Sequence, residues 1–178
     1  MSEDDWFYDA VKTVYEKDLF KGTADDKFSP SIPMTRAMFV QVFANLEKAD
    51  TSGYDQSAFT DVSSSMWYSK PIAWAFDVGL ASGVGNQRFE PDRAITREEM
   101  AVMLNNYIEW KGVELNSETK EPFVDFDQVS SWAKEAVTAI QGYGIISGVG
   151  NNIYAPKSTA ERSQVAQIFA NYIGKLSD

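Results

Sequence analysis

Apolar residues fall at i, i+3, i+4 and i+7 in three separate stretches of this chain. They are Phe39, Val42, Phe43 and Leu46; then Met100, Met103, Leu104 and Tyr107; then Val165, Ile168, Phe169 and Tyr172. Each set predicts an amphipathic helix with one buried face. The segments before them read MTRAM (34–38), ITREE (95–99) and AERSQ (160–164). Thr35 and Thr96 are the expected N-caps, and Thr96 with Glu99 has the spacing of a capping box. In the third segment Glu161 replaces the threonine. Ser158 with Glu161 offers a capping box in a shifted register, which would start that helix earlier and turn Arg162 elsewhere. A shorter helix precedes each of these. In the middle of the chain Trp67, Ile72, Ala75, Phe76 and Leu80 form its expected apolar face, opening at the tryptophan. Gly79 and Gly144 mark its end as left-handed C-caps, with Asp18 a weaker cap in the first stretch. Loops rich in Gly, Asn and Pro join the two helices.

These elements are copies of one another. With Trp6, Trp67 and Trp132 in register, Gly22, Gly83 and Gly148 align, as do Pro30, Pro91 and Pro156. So do Arg36, Arg97 and Arg162, and Asn45, Asn106 and Asn171, without a gap. The chain divides into repeats at 1–47, 59–109 and 123–178, with polar linkers at 48–58 and 110–122 long enough to let neighbouring copies reorient. FTDV (59–62) and FVDF (123–126) lead into the second and third copies, and the first lacks this lead-in. One helix pair of this size buries too little apolar surface to stand alone. The expected fold is therefore all-α: three helix–loop–helix repeats in a pseudo-threefold assembly around a central helical bundle. The asparagines lie near the ends of the central helices and are expected to bond nearby loops.

The charge and residue inventory narrows the chemistry. The net charge of −10 disfavours nucleic acid and anionic membrane as partners. The absence of cysteine and histidine removes disulfides, thiolate metal sites, most zinc sites and the Ser-His-Asp triad. No cofactor is expected. No apolar run is long enough to span a bilayer, and MSEDDWFYDA has no signal-peptide character. The acidic loops at 23–29 and 84–92 lack the ligand spacing of a calcium loop and read as solvated turns. Glu98 and Glu99 are the one adjacent carboxylate pair in the Thr-Arg segments. They point in different directions on a helix, so glycoside hydrolysis is not expected.

The arginine column poses a question. Arg36, Arg97 and Arg162 occupy first helical positions, where the helix dipole disfavours a cation by roughly 0.3–1 kcal/mol. An ion pair to a neighbouring copy is one explanation. An anionic ligand is the other: a guanidinium fork beside free helix N–H groups would clamp a carboxylate. The glycine column fits either a turn requirement or close approach of a ligand. The tryptophan column fits either core packing at the helix start or a flat wall for a sugar ring.

The F-x-D lead-in, the Trp-initiated helix, the Gly loop with its F-x-P element and the TRAE-like segments together resemble the S-layer homology family, in three tandem copies. That resemblance implies a three-pronged assembly with grooves between copies. It implies non-covalent anchoring to a Gram-positive-type cell envelope through secondary cell wall polysaccharide, an acidic glycan bearing pyruvylated N-acetylmannosamine. It assigns ligand binding to Arg36 and Arg97, and less directly to Arg162, whose neighbour Glu161 could neutralise it. Gly22, Gly83, Gly148, Trp6, Trp67, Trp132, Thr35 and Thr96 complete the candidate site, with no catalytic or metal residue. The expected form is a monomeric, cell-surface segment of a larger protein. A protein–protein scaffold within a surface layer is the alternative. Arg97→Ala is expected to spare the fold, because a first-turn residue should be solvated.

Overall fold

The computed structural model describes residues 1–24 and 27–176. The acidic residues at 25 and 26, part of the expected solvated turn 23–29, lie outside the described residues, as do positions 177 and 178. The described residues form six α-helices: α1 (Tyr8–Glu16), α2 (Arg36–Glu47), α3 (Ser69–Asp77), α4 (Arg97–Lys111), α5 (Lys134–Gly142) and α6 (Arg162–Lys175). Among the described residues there is no β-strand, only isolated bridges. The fold is all-α, two helices per repeat.

The helix boundaries follow from local chemistry. Thr35 Oγ1 accepts from Met38 N, and Thr96 heads a reciprocal capping box with Glu99. The third copy corrects the sequence reading. Its helix starts at Arg162, in the same register as the others, and Gln164 reaches back to accept from the Glu161 N–H (3.0 Å). Gln164 supplies the returning bond of the box, so the Ser158 alternative is not used. The first helices end as expected, with Asp18, Gly79 and Gly144 all at positive φ (57°, 76° and 71°).

The three longer helices α2, α4 and α6 bring their apolar faces to one core. Phe43 lies 5.2 Å from Phe169 and 4.8 Å from Tyr107 between ring centroids, and Tyr107 lies 5.6 Å from Tyr172. One aromatic cluster thus spans all three repeats. The shorter helices pack across repeats: α3 on α2, α5 on α4 and α1 on α6. Each first helix lies on the second helix of the preceding repeat, and the third pairing closes back on the first. This packing explains why one copy cannot bury its own surface.

Backbone hydrogen bonds repeat the same cyclic order. Arg36 N donates to Arg93 O, Arg97 N to Ser158 O and Arg162 N to Ile32 O. The next residues do likewise: Ala37 N to Pro91 O, Glu98 N to Pro156 O and Ser163 N to Pro30 O. The linkers are also tied down. Tyr54 Oη donates to Asp77, Lys70 Nζ to Ser52 O, Glu118 N to Gly142 O and Gln141 Nε2 to Glu121 O. The expectation that the linkers let copies reorient is therefore corrected: a shared core and cross-repeat backbone bonds fix the copies together.

The lead-in segments shape the loops. Asp61 accepts from Phe89 N and Glu90 N, and Asp125 accepts from Tyr154 N and Ala155 N. Burial alone would raise the Asp61 carboxyl, but these backbone donors and the Arg88 charge outweigh it and hold its pKa below the ordinary value. The residue between aromatic and proline is left-handed in all three loops: Ser29, Glu90 and Ala155 have φ of 54°, 57° and 55°. In an L-residue this costs on the order of 1 kcal/mol. In the second and third copies the aspartate clamp on the adjacent N–H groups offsets it.

Candidate functional site

The arginines do not stand free at solvated helix ends. Arg36, Arg97 and Arg162 are 3%, 5% and 5% exposed. Each side chain leaves its own repeat and crosses to the next one. Arg36 donates from Nε to Phe89 O (2.8 Å) and from Nη2 to Ser82 O (2.9 Å). Arg97 makes the equivalent bonds to Tyr154 O and Ser147 O, and Arg162 to Phe28 O and Lys21 O. Each guanidinium also lies over an aromatic ring of the receiving loop: Phe89, Tyr154 or Phe28. Two carbonyl dipoles and a π-face offset the unfavourable helix field. The expectation of a solvated Arg97 is thus corrected, and with it the reason for expecting its removal to spare the fold.

The helix N–H groups are committed as well. The first two amides of α2, α4 and α6 are spent on carbonyls of the next repeat. The expected pairing of guanidinium with free helix amides does not form.

Three clefts open beside these arginines, and each is assembled from all three repeats. The body of a cleft is the loop and second helix of one repeat. The arginine comes from the preceding repeat and the tryptophan from the following one. Arg36 and Trp132 flank a cleft of about 430 Å³ with Gly83, Glu99 and Asn106. Arg162 and Trp67 flank one of about 530 Å³ with Gly22, Met38 and Asn45. Arg97 and Trp6 flank one of about 270 Å³ with Gly148, Gln164 and Asn171.

The tryptophans are 64%, 56% and 58% exposed at Trp6, Trp67 and Trp132. The helices begin two residues later, and the rings stand off the core. The core-packing reading is corrected, and with it the assignment of Trp67 to the buried face of α3. Such exposed indoles line cleft mouths with flat apolar surface, the form that suits the C–H face of a pyranose.

The glycines have a reason internal to the loop. A Cβ at Gly22 would meet Ala24 O at 2.8 Å, one at Gly83 would meet Arg88 O at 2.8 Å, and one at Gly148 would meet Ile153 O at 2.6 Å. Each loop folds back too closely on itself to admit a side chain. Thr35 and Thr96 act as caps, and neither lines a cleft. The asparagines bond carbonyls at the end of their own first helix: Asn45 to Leu19 O, Asn106 to Leu80 O and Asn171 to Ile145 O.

Charge separates the clefts. Arg36 Nη1 donates to Glu99 Oε1 at 2.9 Å, and Arg93 grips the same carboxylate from Nη2 at 2.6 Å. Burial would raise the Glu99 carboxyl, but the Arg93 bond, the Thr96 N–H and the two positive charges hold it below the ordinary value. Arg97 and Arg162 have no carboxylate within ion-pairing distance among the described residues. Glu161 does not neutralise Arg162. For all three arginines burial is the main influence on the pKa and lowers it from the usual arginine range. For Arg36 the Glu99 charge opposes that, for Arg97 the Tyr154 and Asp125 charges do, and for Arg162 burial acts alone. Nη1 of Arg97 and of Arg162 makes no hydrogen bond among the described residues, and neither atom is sealed from solvent. The sequence reading missed Glu99 as a cleft residue. Its signal was the aligned triplet Met38, Glu99 and Gln164, which lines all three clefts.

Among the described residues no helix is long and apolar enough to cross a membrane, and no group of three metal-ligating side chains occurs.

Known proteins share this pattern. The S-layer homology domain model matches residues 1–38, 58–101 and 122–166. The chain is 30% identical over 97% of its length to an amylopullulanase of Thermoanaerobacterium thermosulfurigenes, and 30% over 99% to exoglucanase XynX of Acetivibrio thermocellus. It is 26% identical over 82% of its length to a cellulosome-anchoring protein of Acetivibrio thermocellus. The chain spans 9%, 16% and 33% of the lengths of these relatives, so the two enzymes match it through a small share of their own sequence. The chain belongs to the S-layer homology family, as three tandem repeats of its domain.

Proposed function

We propose that this module anchors a larger surface protein to the cell envelope by holding an acidic glycan in the clefts between its repeats. The observation that carries this reading is the pair of unpaired guanidinium edges. Arg97 and Arg162 each leave Nη1 without a hydrogen bond among the described residues, and each residue lines a cleft walled by an exposed tryptophan from another repeat. A carboxylate on a sugar fits that edge, because charge-assisted bonds contribute about 1.5–3 kcal/mol each. The sugar ring stacks on the indole. A pyruvylated N-acetylmannosamine unit of a secondary cell wall polysaccharide has both features. The fixed geometry supports avidity, since clefts held in one frame can engage successive units of a polymer without reorganisation. The relatives fit an anchoring role: one is named for cellulosome anchoring, and two enzymes carry the module as a small portion of a longer chain. The proposed unit is a monomer with internal pseudo-threefold symmetry, displayed at the cell surface, and catalysis is no part of its role.

Sedimentation with purified cell wall sacculi tests the reading. The protein should pellet with intact sacculi and remain soluble after acid removal of the wall polymer. Retained binding to polymer-free wall would instead favour the scaffold reading.

A further inference from the structure

The second position of the central helices carries a different side chain in each copy: Ala37, Glu98 and Ser163. The backbone N–H there donates in every copy to the proline carbonyl of the next repeat, but the side chains diverge. The Glu98 carboxylate is 4% exposed and crosses from α4 into the third repeat. There it accepts from Ser130 N at 2.9 Å, from Ser130 Oγ at 3.1 Å and from the Lys157 ammonium, which also donates to Ser130 Oγ. These donors satisfy a buried charge that would otherwise be costly. At the other two seams Ser163 Oγ donates to Pro30 O, and Ala37 has no polar group to offer.

Ser130 stands two residues before Trp132, and the short 3-10 turn Ser131–Ala133 that holds the indole packs against α4. The helix that forms the body of the Arg36 cleft therefore also holds, through Glu98, the segment carrying that cleft's tryptophan wall. The stretches before Trp67 and Trp6 are bonded only locally. Met66 N donates to Ser63 O and Ser63 Oγ pairs with Ser65 Oγ, while Asp5 N donates to Ser2 O and Ser2 N to the Asp5 carboxylate. Among the described residues neither stretch, Ser63–Trp67 or Ser2–Trp6, makes a hydrogen bond to another repeat.

We propose that Glu98 is a positioning residue for the Arg36 cleft: by bracing Ser130 it fixes Trp132 as a preformed wall for the sugar ring, whereas Trp6 and Trp67 become ordered only when a ring stacks on them. This rests on the glycan reading above and adds to it a residue that lines no cleft. A wall fixed in advance removes part of the ordering cost of binding.

Fluorine NMR of the chain labelled with 5-fluorotryptophan tests this, because each cleft has its own indole: Trp6 beside Arg97, Trp67 beside Arg162 and Trp132 beside Arg36. In the free protein the Trp132 ring should tumble with the whole molecule and give a broader line than Trp6 and Trp67, whose own fast motion narrows theirs. In Glu98→Ala the Trp132 line should narrow toward the other two. Alanine at the aligned position 37 already serves an intact seam, so this variant is expected to fold. In Glu98→Gln an oxygen remains to accept from Ser130 N, and the Trp132 line should stay near that of the parent. Titrated with pyruvylated N-acetylmannosamine, Glu98→Ala should shift the Trp132 midpoint to about two- to tenfold higher concentration and leave the Trp6 midpoint in place. A Trp132 line in the unaltered protein as narrow as the others would overturn the proposal. So would a Glu98→Ala protein with unchanged Trp132 line and midpoint, or one in which all three midpoints shift equally. If no tryptophan of the folded protein responds to the sugar, the glycan reading fails and the role of Glu98 with it, whereas a failed brace shows in the free-protein lines alone.

Discussion

Around Arg36, the guanidinium spends Nε and Nη2 on carbonyls of the second repeat and Nη1 on Glu99, which a second arginine also holds. Around Arg162, the first two bonds recur on carbonyls of the first repeat, no third bond occurs among the described residues, and Met38 stands at the position of the carboxylate. The two regions share backbone, helix cap and tryptophan wall. The common part is a structural clasp that crosses from one repeat to the next. The differing part is the third guanidinium edge, which Glu99 holds at Arg36 and which makes no hydrogen bond among the described residues at Arg162. A repeated motif can thus keep one structural role in every copy while its remaining contacts vary from copy to copy.

The comparison can be broken first at the clasp. Arg97→Ala removes two cross-repeat bonds and strands the Tyr154 and Ser147 carbonyls, so urea unfolding should show a loss of about 2–4 kcal/mol. An unchanged unfolding free energy would mean that the clasp contributes nothing. A smaller effect is expected at Glu99. Its pKa is held below the ordinary glutamate value of about 4.3, so its stabilisation is present above that pH and lost as pH falls through its lower folded value. Glu99→Gln should cost about 1 kcal/mol near neutrality and flatten this part of the acid limb, measured by unfolding between about pH 2 and pH 6. The smallest change in stability belongs to the exposed rings. Trp67→Ala and Trp132→Ala should each stay within about 0.5 kcal/mol of the parent. Sacculus binding should nevertheless fall for both, because each indole walls a cleft. Undiminished binding in either variant would remove that ring from the site.

Much of the fold was legible because it depends on local chemistry. The 3.6-residue pattern from Phe39 to Leu46 and its two counterparts gave the central helices, and Thr35 and Thr96 gave two of their starts. The third start was misread because Ser158-x-x-Glu161 and Glu161-x-x-Gln164 both have capping spacing, and only the tertiary contacts select between them. Trp67 was placed on a buried face because an apolar ring at helical spacing carries no mark of its partner. Here the partner of α3 is α2, so the tryptophan lies beyond the packed stripe. The arginines were correctly singled out as a clue, but their burial depended on which loop they reach. That loop belongs to the next repeat, 46 to 141 residues away in sequence. The contrast among Met38, Glu99 and Gln164 was visible in the alignment of copies. Its meaning required knowing that this position faces the arginine of the preceding copy.

The most direct measurement is calorimetry of the intact chain against pyruvylated N-acetylmannosamine and the same sugar without the pyruvyl group. Binding should occur with the acidic sugar, weaken partially as salt rises, and be absent or at least about tenfold weaker with the neutral one. Equal affinity for the two sugars, or no heat with either from a folded protein, would contradict a cleft built around an unpaired guanidinium.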